Sequence, residues 1–224
     1  MTRARISSIW PMKIAYGALV AMIQPNMKKL IAYSSISHLG FVVLGIFSFT
    51  AIGLAGAEFV MLAHGVSTGA LFMLAGIIYE RKHTYEIKDF GGLATPMPVY
   101  ATFFLFVVLA SVGLPMLNGF VGEFMTLAGA FQARAWYGIV AATGVIWSAC
   151  YLLWMYQRVF YGKVTHQENN SLVDLSAREQ LALWPTAIAA LIMGVAPLLW
   201  LNIINPAVDT LLPAMPIVSK VAGQ

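Results

Sequence analysis

The chain has 224 residues, of which 60% are hydrophobic and only 10% are charged, and its mean hydropathy is +0.79. This composition excludes an ordinary soluble globular domain and indicates a membrane protein with several spans. The formal net charge is +4, but the basic residues are spread over short connections between apolar runs, which argues against nucleic-acid binding. The single cysteine, Cys150, excludes a disulfide and a cysteine-ligated iron–sulfur or zinc site within this chain.

Six apolar runs separated by polar or glycine-containing turns predict an all-α polytopic membrane protein of about six transmembrane helices. Residues 1–11 are left unassigned because they are basic and too short for a span, and the shortness of the first run suggests a fragment. The transmembrane domain is expected over residues 12–205, followed by a proline-containing tail over residues 206–224. The predicted helices cover about residues 12–24, 30–50, 57–79, 97–132, 136–161 and 181–204.

The fourth apolar run continues for more than thirty residues, from Val99 to Phe131. A straight helix of that length would be about 50 Å long, well beyond a hydrocarbon core of about 30 Å. Glycine and proline within the run favour an interruption near residues 113–119. The residues that favour it are Gly113, Pro115, Gly119 and Gly122. We therefore predict a helix that is broken at mid-membrane, a geometry that ion-coupled transporters use.

Glu123 lies inside this apolar run, at the predicted first turn of the second half-helix. A carboxylate at the centre of a bilayer is costly unless it faces protein or water, and such residues usually have a function. We predict that Glu123 takes up and releases protons. The alternative is a structural carboxyl group that caps the amides freed by the helix break.

His64 lies deep in the third predicted helix, and Ser67 and Thr68 share its face three and four residues later. Histidine titrates in the physiological range and can pass protons. We therefore predict that His64 lies on the proton route, with Ser67 and Thr68 lining it. A packing histidine with satisfied hydrogen bonds is the alternative.

The second predicted helix carries His38 together with Ser34, Ser35 and Ser37, a polar stripe that leads inward from the Lys29 end. This stripe is a candidate path for proton entry from the cytoplasm, with His38 on the route. Serine stripes also hold membrane helices together by close packing and hydrogen bonding, and that alternative stays open.

Lysine and arginine counts predict the orientation, provided that the broken helix counts as a single crossing. The connections after the first, third and fifth helices then receive most of the basic residues. We expect these loops on the cytoplasmic side of a bacterial inner membrane. The sequence contains no zinc signature, no glycine-rich phosphate loop and no catalytic serine elbow, so we predict neither a metal site nor a catalytic nucleophile.

Three stretches carry a resemblance: QPNMKKLIAYSSISHLGFVVLGI, MLAHGVSTGALFMLAGIIYERKHT and GLPMLNGFVGEFMTLAGAF. In this order they resemble the antiporter-like subunits of respiratory NADH–quinone oxidoreductase, complex I, and most of all the M-type subunit (chain 4). The resemblance covers nearly everything from Ile14 to Pro206. It implies a fold of about fourteen helices in two inverted repeats, of which this chain holds the second repeat and the final helix.

By this resemblance, Glu123 matches the family's terminal protonatable residue on the second broken helix, and His64 matches a histidine of the central hydrophilic axis. The related L-type subunits and cation/proton antiporter subunits typically have a lysine in the segment of Glu123, which favours the M-type. The family's first repeat, with its own glutamate and lysine couple, has no counterpart in this chain.

The implied function is a membrane-arm subunit of the respiratory chain that translocates protons, coupled to NADH oxidation and quinone reduction in partner subunits. The chain would be part of an oxidoreductase translocase without holding a redox site itself. NADH, FMN, iron–sulfur clusters and quinone are expected in the partners, and the L-type and N-type subunits and the lipid bilayer are the expected neighbours. The alternatives are a subunit of a multisubunit sodium/proton antiporter and a truncated, non-conducting structural module.

Overall fold

The computed structural model describes residues 9–214, with side chains from residue 13 to residue 213. This part of the chain is all-helical, with a single isolated bridge between Asn26 and Glu86 and no strand. The first eight residues of the predicted unassigned start, and the end of the predicted tail from residue 215, lie outside the described residues. The α-helices are α1 Ile9–Met22, α2 Met27–Ser48, α3 Ala51–Lys82, α4 Pro98–Val112, α5 Asn118–Ala133, α6 Ala135–Phe160, α7 Ala177–Val195 and α8 Leu198–Ala214, and two short 3₁₀ helices cover Ile87–Asp89 and Gln167–Ser171.

Polar caps set where several helices begin. The side chain of Asn26 accepts a hydrogen bond from Lys29 N at 3.1 Å at the start of α2, and Thr50 accepts one from Gly53 N at the start of α3. Ser176 and Glu179 form a reciprocal capping box at the start of α7. Each cap satisfies backbone N–H groups that have no partner within the helix.

Gly53 and Gly56 lie between the predicted helices at about residues 30–50 and 57–79, but they do not form the turn that this prediction implies. Thr50 caps α3 earlier than expected, so that both glycines lie inside this helix. They are needed for close packing instead, because a Cβ atom on Gly56 would lie 2.7 Å from the backbone nitrogen of Thr126 in α5. The absence of a side chain lets the backbones of α3 and α5 approach each other.

The interruption predicted near residues 113–119 is present between α4 and α5. Gly113 ends α4 with φ at +83°, a left-handed conformation that glycine adopts readily. Asn118 begins α5 and donates a hydrogen bond from Nδ2 to the carbonyl oxygen of Ala63 at 2.9 Å. Because Ala63 lies near the middle of the 32-residue helix α3, the break lies at about half the height of that helix.

The sixth predicted helix, at about residues 181–204, is not continuous. It consists of α7 and α8, which are bent by 67° relative to each other. Pro197 lies in the break; it has no backbone N–H group, and it disfavours the helical conformation of the residue before it. Helix α8 also continues past Pro206, so that the beginning of the predicted tail is helical.

Three described helices are long and apolar enough to cross a membrane, namely α2, α3 and α6. The bent pair α7 and α8 would make a fourth if it counts as one span. Two further apolar helices are shorter, namely Lys13–Met22 within α1 and Pro98–Val112, which is α4. Together with the apolar composition, these helices indicate a multi-pass membrane protein.

The connections after α1, α3 and α6 meet at one end of the helix bundle. Lys82 at the end of α3 forms an ion pair with Glu168 at 2.7 Å, and this hydrogen bond lowers the pKa of the Glu168 carboxyl. Arg81 binds both carboxylate oxygens of Glu179, at 2.7 and 2.8 Å. These contacts hold the ends of α3 and α7 and the connection before α7 together.

Candidate functional site

A buried pair of titratable side chains lies where α2 crosses α5. His38 Nδ1 is 2.8 Å from Glu123 Oε1, and the two side chains are only 4% and 6% exposed. A buried carboxyl group needs such a partner, because removal of a charged or polar group from water is otherwise costly. The predicted site residues Glu123 and His38 are therefore brought into direct contact, although 85 positions separate them in the sequence.

Glu123 lies in the second turn of α5, since the helix begins at Asn118, and not in the first turn as the sequence predicted. The residue that precedes α5, Leu117, has an apolar side chain and makes no capping hydrogen bond. The recorded hydrogen bond of the Glu123 side chain goes to His38. This geometry favours the interpretation that Glu123 is the partner of His38 over the alternative that Glu123 caps the helix break.

The glycines of the break make room for this arrangement. A Cβ atom on Gly113 would lie 3.0 Å from Glu123 Oε2. A Cβ atom on Gly122 would lie 2.7 Å from Cγ2 of Val60 in α3, and one on Gly119 would collide with the carbonyl oxygen of Ala110. Pro115 lies in the turn between the two half-helices. The residues predicted to break the helix therefore also allow the two halves and α3 to pack closely around Glu123.

Tyr151 is a third buried member of this site, which sequence reasoning missed. Its hydroxyl oxygen lies 3.5 Å from His38 Nε2, and the residue is fully buried on α6. Glu123, His38 and Tyr151 thus form a row that joins α5, α2 and α6. The signal in the sequence was a tyrosine in the interior of an apolar helix, away from the helix ends where aromatic residues usually mark the interface.

His64 of α3 lies beside this row. Its ring centroid is 5.6 Å from that of His38, and the planes are inclined by 37°. Thr68 Oγ1 lies 3.1 Å from His64 Nδ1, as the spacing of four residues on one helix allows. His64 is also less buried than His38. The two predicted histidines are therefore neighbours, and Thr68 contacts the outer one.

Ser67 contacts the helix break and not His64. Its hydroxyl donates to Asn118 Oδ1 at 3.1 Å, while Asn118 Nδ2 donates to the carbonyl oxygen of Ala63. Asn118 is completely buried. This small network holds the beginning of α5 against α3, and so it fixes the height of Glu123 in the bundle.

The serines of α2 bind backbone carbonyl groups. Ser34 and Ser35 donate to the carbonyl oxygen of Ile31, at 2.8 and 3.3 Å, within their own helix. Ser37 donates to the carbonyl oxygen of Ile14 in α1 at 2.9 Å. The Ser37 contact ties two helices together, which agrees with the alternative that the stripe stabilises packing.

Within the described part of the chain, no group of three or more histidine, cysteine, aspartate or glutamate side chains could hold a metal ion. The pair of Glu123 and His38 brings a carboxyl oxygen and an imidazole nitrogen together, and such a pair can pass a proton between them. Glu123 Oε1 and His38 Nδ1 are close enough to exchange a proton directly.

A broken helix beside a buried carboxyl and imidazole pair, within a multi-pass all-helical protein, is typical of the class of membrane proteins that transfer ions. A family model described as "NADH:quinone oxidoreductase/Mrp antiporter, TM" matches residues 4–148. The chain belongs to this family.

Its relatives specify the type. NADH-quinone oxidoreductase subunit M of Rhodobacter capsulatus is 47% identical over 195 residues, which cover 87% of this chain and 38% of that protein. NADH-ubiquinone oxidoreductase chain 4 of Marchantia polymorpha is 39% identical over 88% of this chain and 40% of that protein. The predicted resemblance to the M-type subunit is confirmed, and the chain spans about two fifths of the length of these relatives.

Solved structures agree on the fold. A chain of respiratory complex I from Thermus thermophilus matches with a TM-score of 0.85 and 38% identity, over 94% of this chain and 46% of that one. A chain of the Mrp complex from Dietzia sp. DQ12-45-1b matches with a TM-score of 0.84 but only 19% identity, over 95% of this chain and 48% of that one. The first match supports the fold and the relation to complex I, and the second supports the fold alone.

Proposed function

We propose that this chain is the proton-translocating second half of an M-type membrane-arm subunit of NADH–quinone oxidoreductase. The observation that carries the proposal is the 2.8 Å contact between His38 and Glu123, buried next to a helix break at half the height of the bundle. A carboxyl and an imidazole in direct contact can hold and exchange a proton away from bulk water. The names of the relatives supply the complex in which such transfer would be used.

The charge of the pair limits how a proton passes through it. A carboxylate and a neutral imidazole together carry one negative charge. When the pair takes up one proton, its net charge is zero, whichever of the two groups holds that proton. Removal of that proton leaves a negative charge, and addition of another creates a positive one; both are unfavourable in a medium of low dielectric constant. Transfer therefore requires a neighbouring charge that changes at the same time.

His64 is placed to supply that change, because its ring centroid is 5.6 Å from that of His38. A proton on His64 repels a further positive charge on His38 and stabilises a negative charge on Glu123. Arrival of a proton at His64 therefore favours release of the proton that the pair holds. Tyr151, on the other side of His38, orients the imidazole so that Nδ1 faces Glu123.

The energy for this transfer would come from NADH oxidation and quinone reduction in partner subunits that hold FMN and iron–sulfur clusters. The L-type and N-type subunits are the expected neighbours in the membrane arm. We expect a bacterial inner membrane, with the end of the bundle that carries Arg81 and Lys82 on the cytoplasmic side, because cytoplasmic loops are enriched in lysine and arginine.

The test is Glu123→Gln in the complete complex, with the number of protons moved per NADH oxidised as the measurement. Glutamine keeps the shape and hydrogen bonding of the side chain but cannot exchange a proton. We expect proton transfer through this subunit to slow by about 100-fold, which lowers the measured ratio. Glu58→Gln, on α3, is the matched control and should keep the wild-type ratio. An unchanged ratio in Glu123→Gln would instead support the non-conducting structural module.

A further inference from the structure

Arg158 lies in the last turn of α6, outside the site described above. Its guanidinium group stacks on the indole of Trp154 one turn earlier, with Cζ 3.9 Å from the ring centroid. This is the distance of a close cation–π contact. The stacking holds the guanidinium group in a fixed orientation at the end of the helix.

Two nitrogen atoms of Arg158, Nε and Nη2, are buried and have no hydrogen-bond partner among the described residues. These two N–H groups point from the same edge of the guanidinium plane. It is an edge that binds a carboxylate or a phosphate through two parallel hydrogen bonds. Arg158 thus has two parallel N–H donors that could bind both oxygen atoms of one acceptor group.

Arg81 shows how the same edge is satisfied elsewhere in this chain, because its Nε donates to the carbonyl oxygen of Val173 and its Nη2 donates to that of Asp174. None of the ion pairs in the described part of the chain involves Arg158. Two unpaired N–H groups withdrawn from water are costly, so an acceptor from outside the described residues is expected.

The surroundings of Arg158 indicate where that acceptor comes from. Helix α6 is long and apolar enough to span a membrane, and Arg158 is near its end. Trp154 is 46% exposed and Tyr161 is 58% exposed, as aromatic residues at the level of the lipid headgroups are. Lys163 follows directly after the helix and is also exposed. Phosphate groups of lipids are the acceptors available at this level.

We propose that Arg158 binds the phosphate group of an anionic phospholipid through Nε and Nη2, with Trp154 covering the outer face of the guanidinium group. The lipid needs a net negative charge because Lys163, exposed and five residues further along the chain, adds a second positive charge, and basic sites at this level of a membrane helix favour anionic headgroups. Because both nitrogen atoms are buried, binding requires the half-exposed indole to shift along the guanidinium face so that the phosphate reaches this edge. This site does not depend on the proton-transfer site and is independent of the proposed function.

The test uses the full chain purified from vesicles of phosphatidylcholine mixed with phosphatidylglycerol, and native mass spectrometry counts the lipids that stay bound. We expect wild type to retain phosphatidylglycerol in preference to phosphatidylcholine, and Arg158→Gln to retain roughly tenfold less, because two charge-assisted hydrogen bonds are lost. The matched control is Arg134→Gln, which removes an arginine that lies over Tyr137 at the other end of α6. This control should retain as much lipid as wild type.

Arg158→Lys keeps the positive charge but loses the two parallel N–H donors. This variant replaces Arg158→Gln if that variant does not fold. We expect Arg158→Lys to retain less phosphatidylglycerol than wild type. An excess of inorganic phosphate distinguishes the two possible phosphate sources. If inorganic phosphate leaves the bound lipid in place, the lipid site is supported. Displacement of the lipid by inorganic phosphate, unchanged retention in Arg158→Gln, or equal loss in Arg134→Gln would each overturn the proposal.

Discussion

His38 is held on both ring nitrogens by groups that come from different helices. Glu123 Oε1 is 2.8 Å from Nδ1, and the Tyr151 hydroxyl is 3.5 Å from Nε2. Which nitrogen of a histidine carries its proton is decided by the hydrogen bond at the other nitrogen. The shorter contact with Glu123 therefore dominates the orientation of His38, and the longer contact with Tyr151 adds to it.

Tyr151→Phe removes only this hydroxyl and keeps the ring that fills the core. We expect proton transfer to slow by about fivefold, because one neutral hydrogen bond contributes about 1 kcal/mol. The measurement is protons moved per NADH oxidised as a function of pH, since a purely structural role would leave the pH profile unchanged. Tyr137→Phe on the same helix is the control. A wild-type profile in Tyr151→Phe would contradict this role.

His38→Leu leaves the buried carboxyl of Glu123 without its partner. We expect a loss of about 3 kcal/mol in the free energy of unfolding, because the breaking of a buried ion pair leaves an uncompensated group. The double variant His38→Leu with Glu123→Gln should recover part of this loss, since the charge that needed the partner is gone. Unfolding by denaturant in detergent measures both. Equal stability of His38→Leu and the double variant would show that the loss does not come from an unpaired charge on Glu123.

At the level of single residues, the sequence was enough to select Glu123, His38 and His64 as candidate site residues, because titratable residues within apolar runs are energetically costly and rare. It did not show that His38 and Glu123 touch, since the contact joins helices far apart in the chain. Tyr151 was missed because an aromatic side chain does not interrupt an apolar run. The roles of the selected residues stay predictions.

Helices α3 and α5 approach each other through glycines. A Cβ atom on Gly56 would lie 2.7 Å from backbone and side-chain atoms of α5, and one on Gly129 of α5 would collide with Gly53. In the absence of a strong hydrophobic driving force within lipid, such close backbone contact is a main source of helix association. The position of Glu123 opposite His38 depends on it.

Gly56→Ala should destabilise the chain by about 2 kcal/mol, because an added methyl group in a closely packed contact forces the helices apart. Gly69→Ala is the matched control on the same helix, since nothing lies within 4 Å of the Cβ position there. It should be neutral or more stable by about 0.5 kcal/mol through the better helix propensity of alanine. The measurement is the free energy of unfolding in detergent; equal effects would contradict the packing argument.

The break between α4 and α5 could be predicted because an apolar run too long for one span contained glycine and proline at its centre. The break between α7 and α8 could not, because the run has an ordinary span length and a single Pro197 within a helix often produces only a kink. Gly53 and Gly56 were misread as a turn, because glycine marks both turns and close helix contacts. Only the partner helix α5 distinguishes these two uses.

For the whole molecule, the order of the three recognised stretches predicted the family, and the family match confirms it. The chain covers about two fifths of the length of its relatives. The pair of His38 and Glu123, together with Tyr151 and His64, is nevertheless built entirely from residues of this chain. The proposed proton exchange can therefore be tested on this chain's own residues.

The most direct measurement is infrared difference spectroscopy of the complex during NADH oxidation, in the region where a protonated carboxyl group absorbs. We expect a carboxyl band that appears and disappears with turnover, is absent in Glu123→Gln, shifts in His38→Leu and persists in Glu58→Gln. The shift follows from loss of the 2.8 Å hydrogen bond. A band that is unchanged in Glu123→Gln would show that this carboxyl group does not exchange its proton, and it would contradict the account.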